Sequence, residues 1–269
     1  MTPLVSQLWP QFMADPDFAA SFGRVIVEHA RMLRQERQVV FTLRSAAPLD
    51  KGLCARLLAS LQPDYEGFEL RIQNLRKGQR DHLLEALMGV KEYDLRPAAA
   101  QPPISVLDCT CGFGADAAVA SFGLPAGSRV DALEVSPLLE AVTAWGFSHF
   151  VHKKDDVTAA LRRISLRCGD YRDYLLSDEG PVYDVLYFDP MFQRPVEASC
   201  QFQPVRAIME HGGLTRDLIE RALQKARRRV VIKERDFRQL CRDFPDVTLY
   251  GGKYSRIGYA VLECDSWKK

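Results

Sequence analysis

Short apolar segments alternate with longer stretches whose apolar residues recur every three to four positions. Each short segment has the length and the β-branched content of a buried strand, and each longer stretch has the period of an amphipathic helix. The predicted strands are residues 104–107, 129–134, 165–168, 185–188 and 230–232, and helices are predicted at 81–90 and 214–228. This alternation predicts an α/β fold with a mostly parallel sheet. Residues 247–250 and 254–262 flank two glycines and predict an antiparallel hairpin at the end of the chain.

The first 75 residues have a different pattern. Residues 38–43 predict a strand, 51–61 predict a helix, and 68–72 alternate as in a half-buried strand. We interpret residues 1–75 as a small α+β domain, followed by a larger domain at 76–269 and joined to it by the basic stretch 74–80. The small domain is either a packing extension or a module that docks onto RNA.

A glycine-containing turn follows the strand at 104–107, in the sequence VLDCTCGFGAD. Gly112 and Gly114 lie between the strand end at Asp108 and a stretch of small residues that predicts a helix from Ala115. A strand, a tight glycine turn and a helix form the front of a nucleotide-binding βαβ unit, although two glycines also occur in ordinary turns. The third glycine of the dinucleotide fingerprint is missing, which disfavours an NAD-type enzyme.

Two later strands also end in acidic residues. Glu134 ends the strand at 129–134, about 20 residues after the glycines, where a carboxylate can accept hydrogen bonds from both hydroxyls of a ribose. The alternative is a solvated acid at a strand end. Asp170 follows the next strand, at a spacing that suits either a contact with an adenine amine or an Asx-turn.

The strand at 185–188 runs into the sequence Asp-Pro-Met-Phe. Pro190 stiffens the turn and would hold Asp189 at the carboxyl end of the sheet, where open α/β folds bind ligands. A plain turn at a strand end is the alternative, but it does not account for the aromatic Phe192 that follows directly.

These stretches together resemble the class I S-adenosylmethionine-dependent methyltransferases, whose sheet is Rossmann-like and ends in an antiparallel hairpin. FDPMF, the Asp-x-Thr-x-Gly-x-Gly-x-Asp stretch and the strand that ends at Lys233 are similar to the RsmJ family, which methylates the N2 amine of a guanine in small-subunit ribosomal RNA. The resemblance covers roughly residues 76–263. It implies S-adenosyl-L-methionine as the cofactor and ribosomal RNA or the small ribosomal subunit as the partner.

The residue patterns and this resemblance predict three sets of site residues. The cofactor set is Asp108, Thr110, Gly112, Gly114, Asp116, Glu134, Val135, Asp170 and Asp189. The catalytic set is Asp189, Pro190 and Phe192, where Asp189 and the Pro190 carbonyl would accept hydrogen bonds from the amine and Phe192 would stack on the base. The substrate set is Arg194, Lys233 and Arg235.

The chain departs from the family pattern at three places. Ala115 and Val135 stand where the family usually has arginines, and Glu234-Arg235 follows the lysine where it usually has Arg-Pro. These differences indicate a divergent member and leave the modified RNA position open. Methylation of DNA, a protein or a small molecule is one alternative function, and a non-catalytic scaffold that keeps the cofactor fold is another.

Composition adds few constraints. The net charge of +1 and the 47% hydrophobic content give no basic excess that would point to nucleic acid. Seven scattered cysteines without a Cys-x-x-Cys pair predict free thiols, no metal site and a reducing, cytoplasmic location. The polar N-terminus predicts no signal peptide, and no apolar run reaches the roughly 18 residues that span a membrane. Oligomeric state cannot be assigned from the sequence.

Overall fold

The structure is a computed structural model, and it describes residues 26–33, 38–44, 66–89, 101–190, 213–251 and 257–267. The helix predicted at 51–61 and most of the segment after Pro190 lie outside the described residues. Phe192 and Arg194 belong to that segment, so the structure does not test the positions predicted for them.

Seven strands form one sheet with the spatial order β5-β4-β3-β6-β7-β9-β8. The strands are β3 (Ser105–Asp108), β4 (Arg129–Glu134), β5 (Ser165–Cys168), β6 (Val185–Phe188), β7 (Arg229–Glu234), β8 (Thr248–Gly251) and β9 (Gly258–Glu263). The pairs from β5 to β7 are parallel, whereas β9 pairs antiparallel with both β7 and β8. This arrangement confirms the predicted mostly parallel sheet with a terminal antiparallel hairpin.

A separate antiparallel pair precedes this sheet. It consists of β1 (Ile26–Leu33) and β2 (Gln38–Arg44), and Ala30 lies opposite Phe41 in its register. The strand predicted at 38–43 is therefore confirmed, whereas the sequence pattern did not identify β1.

Helices connect the strands and cover the sheet. They are α1 (Glu66–Arg76), α2 (His82–Met88), α3 (Ala115–Gly123), α4 (Pro137–His149), α5 (Asp155–Arg162), α6 (Tyr171–Leu176), α7 (Arg216–Lys225), α8 (Arg238–Asp243) and α9 (Cys264–Trp267). Side-chain oxygens cap several of these helices, as polar N-cap residues do. Ser136 accepts from the backbone N–H of Leu139 in α4, and Thr215 accepts from that of Leu218 in α7.

The predicted strand at 68–72 is wrong, because these residues lie in helix α1. Phe68, Ile72 and Leu75 are 1%, 2% and 5% exposed, at the i, i+4 and i+7 spacing of a helix face, whereas Leu70 is 62% exposed. Five alternating residues fit either a strand or a helix, and only the longer register through Leu75 distinguishes the two periods.

Helix α1 packs into the core that covers one face of the sheet. Its residues Phe68, Ile72 and Leu75 join Ala117 of α3 and Val106 of β3 in one buried cluster. The domain boundary proposed at residue 75 therefore falls inside a helix that belongs to this core. The division of the chain into two domains stays a prediction.

We expect Phe68→Ala to lower the free energy of unfolding by about 3–5 kcal/mol, because it leaves a cavity under α1. Leu70→Ala on the exposed face of the same helix is the matched control and should change stability by less than about 0.5 kcal/mol. Urea unfolding monitored by circular dichroism measures both. Equal, small losses would show that α1 does not contribute to the core.

Candidate active site

Four neighbouring strands of the sheet end at one edge. Strands β4, β3, β6 and β7 are adjacent and parallel, so their carboxyl ends lie side by side. Asp108 and Glu134 are the last residues of β3 and β4, and Asp189 follows the last residue of β6. Lys233 is the second-to-last residue of β7. The sheet thus brings together the strand-end residues that the sequence singled out.

The glycine turn between β3 and α3 has a left-handed backbone at two positions. Gly112 has φ +56° and Gly114 has φ +77°. A Cβ on Gly114 would lie 2.2 Å from the ring of Phe147, so this glycine is required for packing against α4. A Cβ on Gly112 would meet no atom within 4 Å. Gly112 therefore borders open space at the end of the sheet.

Glu134 ties the glycine turn to the end of β4. One of its carboxylate oxygens accepts a hydrogen bond from the backbone N–H of Gly112 at 2.9 Å, and the other accepts from that of Ser136 at 2.9 Å. Glu134 is only 6% exposed, so it is not the solvated strand-end acid of the alternative interpretation. Burial raises its pKa, while these backbone N–H groups act in the opposite direction.

Asp170 has the geometry of an Asx-turn. Its carboxylate accepts from the backbone N–H of Arg172 at 2.8 Å and forms an ion pair with the guanidinium of the same residue at 2.5 Å. These contacts cap the first turn of α6. The alternative role of Asp170, a contact with an adenine amine, stays a prediction.

Asp108 is a buried acid, with 2% exposure, whose oxygen accepts from the backbone N–H of Thr110 at 3.0 Å. Burial, together with the negative charges of Asp116 and Asp189, raises the pKa of Asp108 to about 8. The Thr110 hydroxyl accepts a hydrogen bond from the backbone N–H of Asp189 at 2.7 Å. Thr110 therefore links the ends of β3 and β6.

A cluster of charged side chains lies beside Asp189. The ammonium group of Lys233 donates to Asp189 at 2.7 Å and to Asp116 at 2.8 Å. Asp116 also accepts from the Tyr187 hydroxyl at 2.7 Å and from the Arg71 guanidinium at 2.5 Å. Asp116 and Lys233 are only 11% and 17% exposed in their side chains. The predicted roles, a cofactor contact for Asp116 and a substrate contact for Lys233, stay predictions.

The charges in this cluster stabilise one another. Although burial opposes ionisation, the positive charges of Lys233 and Arg71 hold the pKa of Asp116 well below its usual value. Burial likewise opposes the charge on Lys233, but Asp116 and Asp189 raise its pKa. Burial raises the pKa of Asp189, and Lys233 counteracts this effect.

Sequence reasoning missed Arg71, Asp81 and Tyr187. Arg71 donates from two nitrogens to the two oxygens of Asp81, each at 2.8 Å, and Asp81 also caps α2. Arg71 lies three residues after Phe68 and four before Leu75, so a helical register places a cation on the apolar face of α1. That position was the available signal, because a cation partly enclosed beside a core requires a partner of opposite charge.

The other predicted residues are less enclosed. Val135 is 37% exposed, and Arg235 is exposed one residue after the end of β7.

Five cysteines in the described ranges are free thiols, and Cys109 and Cys111 in the glycine turn are buried. Across those ranges, no group of three metal-ligating side chains was found. None of the helices described combines the length and apolar character needed to cross a membrane.

We expect Asp108→Asn to flatten the pH dependence of stability between pH 5 and pH 8. An acid whose folded-state pKa is raised from 3.8 to about 8 makes the folded state lose stability as pH rises through this window, because the unfolded chain releases the proton first. The slope of the free energy of unfolding against pH should change by at most about 1.4 kcal/mol per pH unit. Urea unfolding at several pH values measures it, and parallel curves for the two proteins would contradict the assignment.

We expect Lys233→Met to lower the free energy of unfolding by about 2–4 kcal/mol, because it leaves two partly buried carboxylates without their shared cation. Lys153→Met is the control, since Lys153 is 70% exposed and pairs with Glu69 at the surface. Lys153→Met should lower the free energy of unfolding by much less, because exposed ion pairs contribute little. Equal effects of the two substitutions in thermal or urea unfolding would argue against the buried cluster as a stabilising element.

Comparisons with known proteins agree with the resemblance. Residues 73–257 match the family described as "Putative SAM-dependent methyltransferase", where SAM is S-adenosylmethionine. The chain is 34% identical over 148 residues to the uncharacterized protein YpiP of Bacillus subtilis, covering 55% of this chain and 58% of that protein. It is 30% identical over 177 residues to the ribosomal RNA small subunit methyltransferase J of Thioalkalivibrio sulfidiphilus, covering 64% of this chain and 65% of that protein.

A second ribosomal RNA small subunit methyltransferase J, from Saccharophagus degradans, is 33% identical over 142 residues, which are 48% of this chain and 52% of that protein. The chain thus spans between half and two thirds of the length of these relatives. The family model covers more than half of the chain, including every strand from β3 to β8. The chain therefore belongs to the SAM-dependent methyltransferase family.

Proposed function

We propose that this protein transfers a methyl group from S-adenosyl-L-methionine to the N2 amine of a guanine in small-subunit ribosomal RNA, in the cytoplasm. Two similar proteins are named ribosomal RNA small subunit methyltransferases, and the Asp-Pro-Met-Phe sequence resembles the same family. The geometry of Asp189 carries the proposal. Its carboxylate lies at the end of a central strand, 30% exposed, with one oxygen held by Lys233.

The glycine turn fits S-adenosylmethionine. A side chain at Gly112 would project into open space, so this glycine leaves room for a ligand to approach the backbone. Helix α3 begins directly after Gly114, and its first N–H groups lack partners within the helix. Glu134 accepts backbone N–H groups of Gly112 and Ser136, and a carboxylate with about four acceptor positions keeps some of them for ribose hydroxyls.

We assign the cofactor to the residues around this turn. They are Asp108, Thr110, Gly112, Gly114, Glu134, Val135 and Asp170. Asp116 is left out of this set, because its oxygens already contact Arg71, Tyr187 and Lys233. When bound, S-adenosylmethionine supplies a methyl group that is activated by a positively charged sulfur.

The protein's task is then to hold the acceptor amine in the correct direction. The lone pair of guanine N2 is delocalised into the ring, so hydrogen bonds from the amine to Asp189 would favour a more tetrahedral nitrogen. Among the described residues, Lys233 is the hydrogen-bond partner of the Asp189 side chain, and it donates to one of the two carboxylate oxygens. The second oxygen is therefore the acceptor we assign to the amine, with the carbonyl of Pro190 beside it.

The base has to leave its stack to reach this position. Phe192 follows two residues after Pro190, and we propose that it stacks on the extruded base. Arg194 and Arg235 are proposed to contact RNA phosphates, because cations near a site position nucleic acid without reading its sequence.

We expect Gly112→Ala to weaken binding of S-adenosylmethionine at least tenfold, because its Cβ would fill the space beside the turn. Gly78→Ala is the matched control, since Gly78 also has a positive φ and open space around its Cβ but lies in the turn after α1. Both substitutions should destabilise the fold by about 1–2 kcal/mol through the left-handed backbone. Isothermal titration calorimetry measures the affinities, and equal weakening by both variants would exclude a specific role of Gly112.

We expect Asp189→Ala to reduce methyl transfer by about 10²- to 10⁴-fold, because the amine loses its hydrogen-bond acceptor. The assay measures transfer of labelled methyl from S-adenosylmethionine to 30S subunits, to naked small-subunit RNA and to bulk protein. Digestion of the labelled RNA then identifies the modified base. Asp155→Asn, which changes an exposed aspartate in α5, is the control and should leave transfer unchanged.

The acceptor that takes up label decides between the possible functions. Label in N2-methylguanine that is lost in Asp189→Ala supports the proposal. Label in DNA, protein or a small molecule would replace it with another methyltransferase activity. Cofactor binding without transfer to any acceptor would favour a non-catalytic scaffold.

A further inference from the structure

We propose that Arg71 is a positioning residue, which acts through Asp116 and Lys233 to hold the carboxylate of Asp189 in place. This inference rests on the function proposed for Asp189. Arg71 lies two residues before the region that matches the family model, on a helix that the sequence pattern did not identify. The role is therefore assigned from the structure alone.

Three consecutive contacts connect Arg71 with Asp189. The Arg71 guanidinium donates to one oxygen of Asp116 at 2.5 Å, and the other Asp116 oxygen accepts from Lys233 at 2.8 Å. Lys233 then donates to Asp189 at 2.7 Å. Positive and negative groups alternate along this path, so each group is attracted by its neighbours on both sides.

Arg71 is itself fixed at its other side. Its Nε and Nη2 atoms donate to both oxygens of Asp81, a fork geometry that restricts rotation of the guanidinium. Phe68 and Ile72, which flank Arg71 on α1, are buried in the core. The position of Arg71 is therefore set by the core and by helix α2, whose N-cap is Asp81, rather than by the exposed surface.

The charge around Asp189 depends on this arginine. The charged or titratable side chains that influence Asp189 come from β3, α3, β6 and β7, and they are Asp108, Asp116, Tyr187, Lys233 and Glu234. Lys233 provides the positive charge within this set, and it is shared with Asp116. Without Arg71, Asp116 would keep only Lys233 as a cationic partner among the described residues. Lys233 would then be drawn toward Asp116 and away from Asp189.

Loss of Arg71 should therefore make Asp189 harder to ionise. Burial already raises the pKa of Asp189, and the attraction of Lys233 is the influence that opposes it. A protonated Asp189 has a weaker capacity to accept a hydrogen bond from an amine. The consequence is a loss of activity that is largest at low pH.

The first test is the pH dependence of kcat for Arg71→Met and Arg71→Lys, with the acceptor that the wild-type protein methylates. We expect the acidic limb of the profile to shift to higher pH by about one unit in Arg71→Met. Arg71→Lys keeps the charge and should return the limb toward its wild-type position. The affinity for S-adenosylmethionine, measured by calorimetry, should stay within about twofold of the wild type in both variants.

Asp81→Asn is the matched control for a merely structural role. It weakens the fork that anchors Arg71 to α2, while it leaves the contact between Arg71 and Asp116 in place. We expect this variant to unfold at lower urea concentration with an unchanged acidic limb. A shift of the limb in Asp81→Asn as large as that in Arg71→Met would overturn the proposal, because packing of α1 would then explain both effects.

The second test does not require methyl transfer. A double-mutant cycle combines Arg71→Met with Asp189→Asn and compares free energies of unfolding of the protein without cofactor. Arg71 and Asp189 share no direct contact in the structure, so coupling between them would have to pass through Asp116 and Lys233. We expect non-additive effects, and we expect Lys233→Met to abolish the coupling.

The outcomes separate the two proposals. If wild-type protein methylates no RNA, the proposed function fails, and the double-mutant cycle still decides whether Arg71 acts on Asp189. If RNA is methylated but the cycle is additive, the proposed function stands and the role of Arg71 is refuted. If Arg71→Met does not fold, the cycle is carried out with Arg71→Lys, for which additivity would also refute the proposal.

Discussion

The arrangement of the site depends on one largely enclosed cation, Lys233, that two carboxylates share. Its ammonium group lies within 2.8 Å of both Asp116 and Asp189, and these acids come from a helix and a strand end far apart in the chain. Enclosing a charge is unfavourable unless it is paired, so Asp116 and Lys233 stabilise each other, and the more exposed Asp189 gives Lys233 a second partner. Their pairing fixes β7, α3 and the end of β6 relative to one another, and it fixes the carboxylate that we assign to the substrate amine.

A second set of contacts fixes the opposite side of the site without any cation. Glu134 accepts backbone N–H groups from Gly112 and Ser136, and Thr110 accepts one from Asp189. Side chains at or just after the ends of two adjacent strands, β4 and β3, thereby hold the backbone of the glycine turn, of the start of α4 and of the turn after β6. The cofactor assigned to the glycine turn and the base assigned to Asp189 would meet between these two sets of contacts.

Helix α1 shows how far the periodicity of the sequence can mislead. Residues 68–72 alternate in polarity, which favours a strand, but Leu75 continues the helical register and the buried face of α1 follows it. The error had a consequence for the site, because Arg71 faces outward in one interpretation and toward Asp116 in the other. Arg71, which a strand would have placed on its polar side, is in fact a partner of Asp116 in the charged cluster.

The sequence by itself determined most strands of the sheet, their mostly parallel arrangement and the strand ends at which Asp108, Glu134 and Asp189 lie. These features follow from local patterns, namely short apolar runs that alternate with helical periods and end in acidic residues. Only the tertiary structure decided which charges pair. Arg71 and Asp116 are 45 residues apart and Asp116 and Lys233 are 117 apart, and no local pattern encodes such partners. Their pairing follows from the cost of burying an unpaired charge, and this cost arises only once the chain has packed.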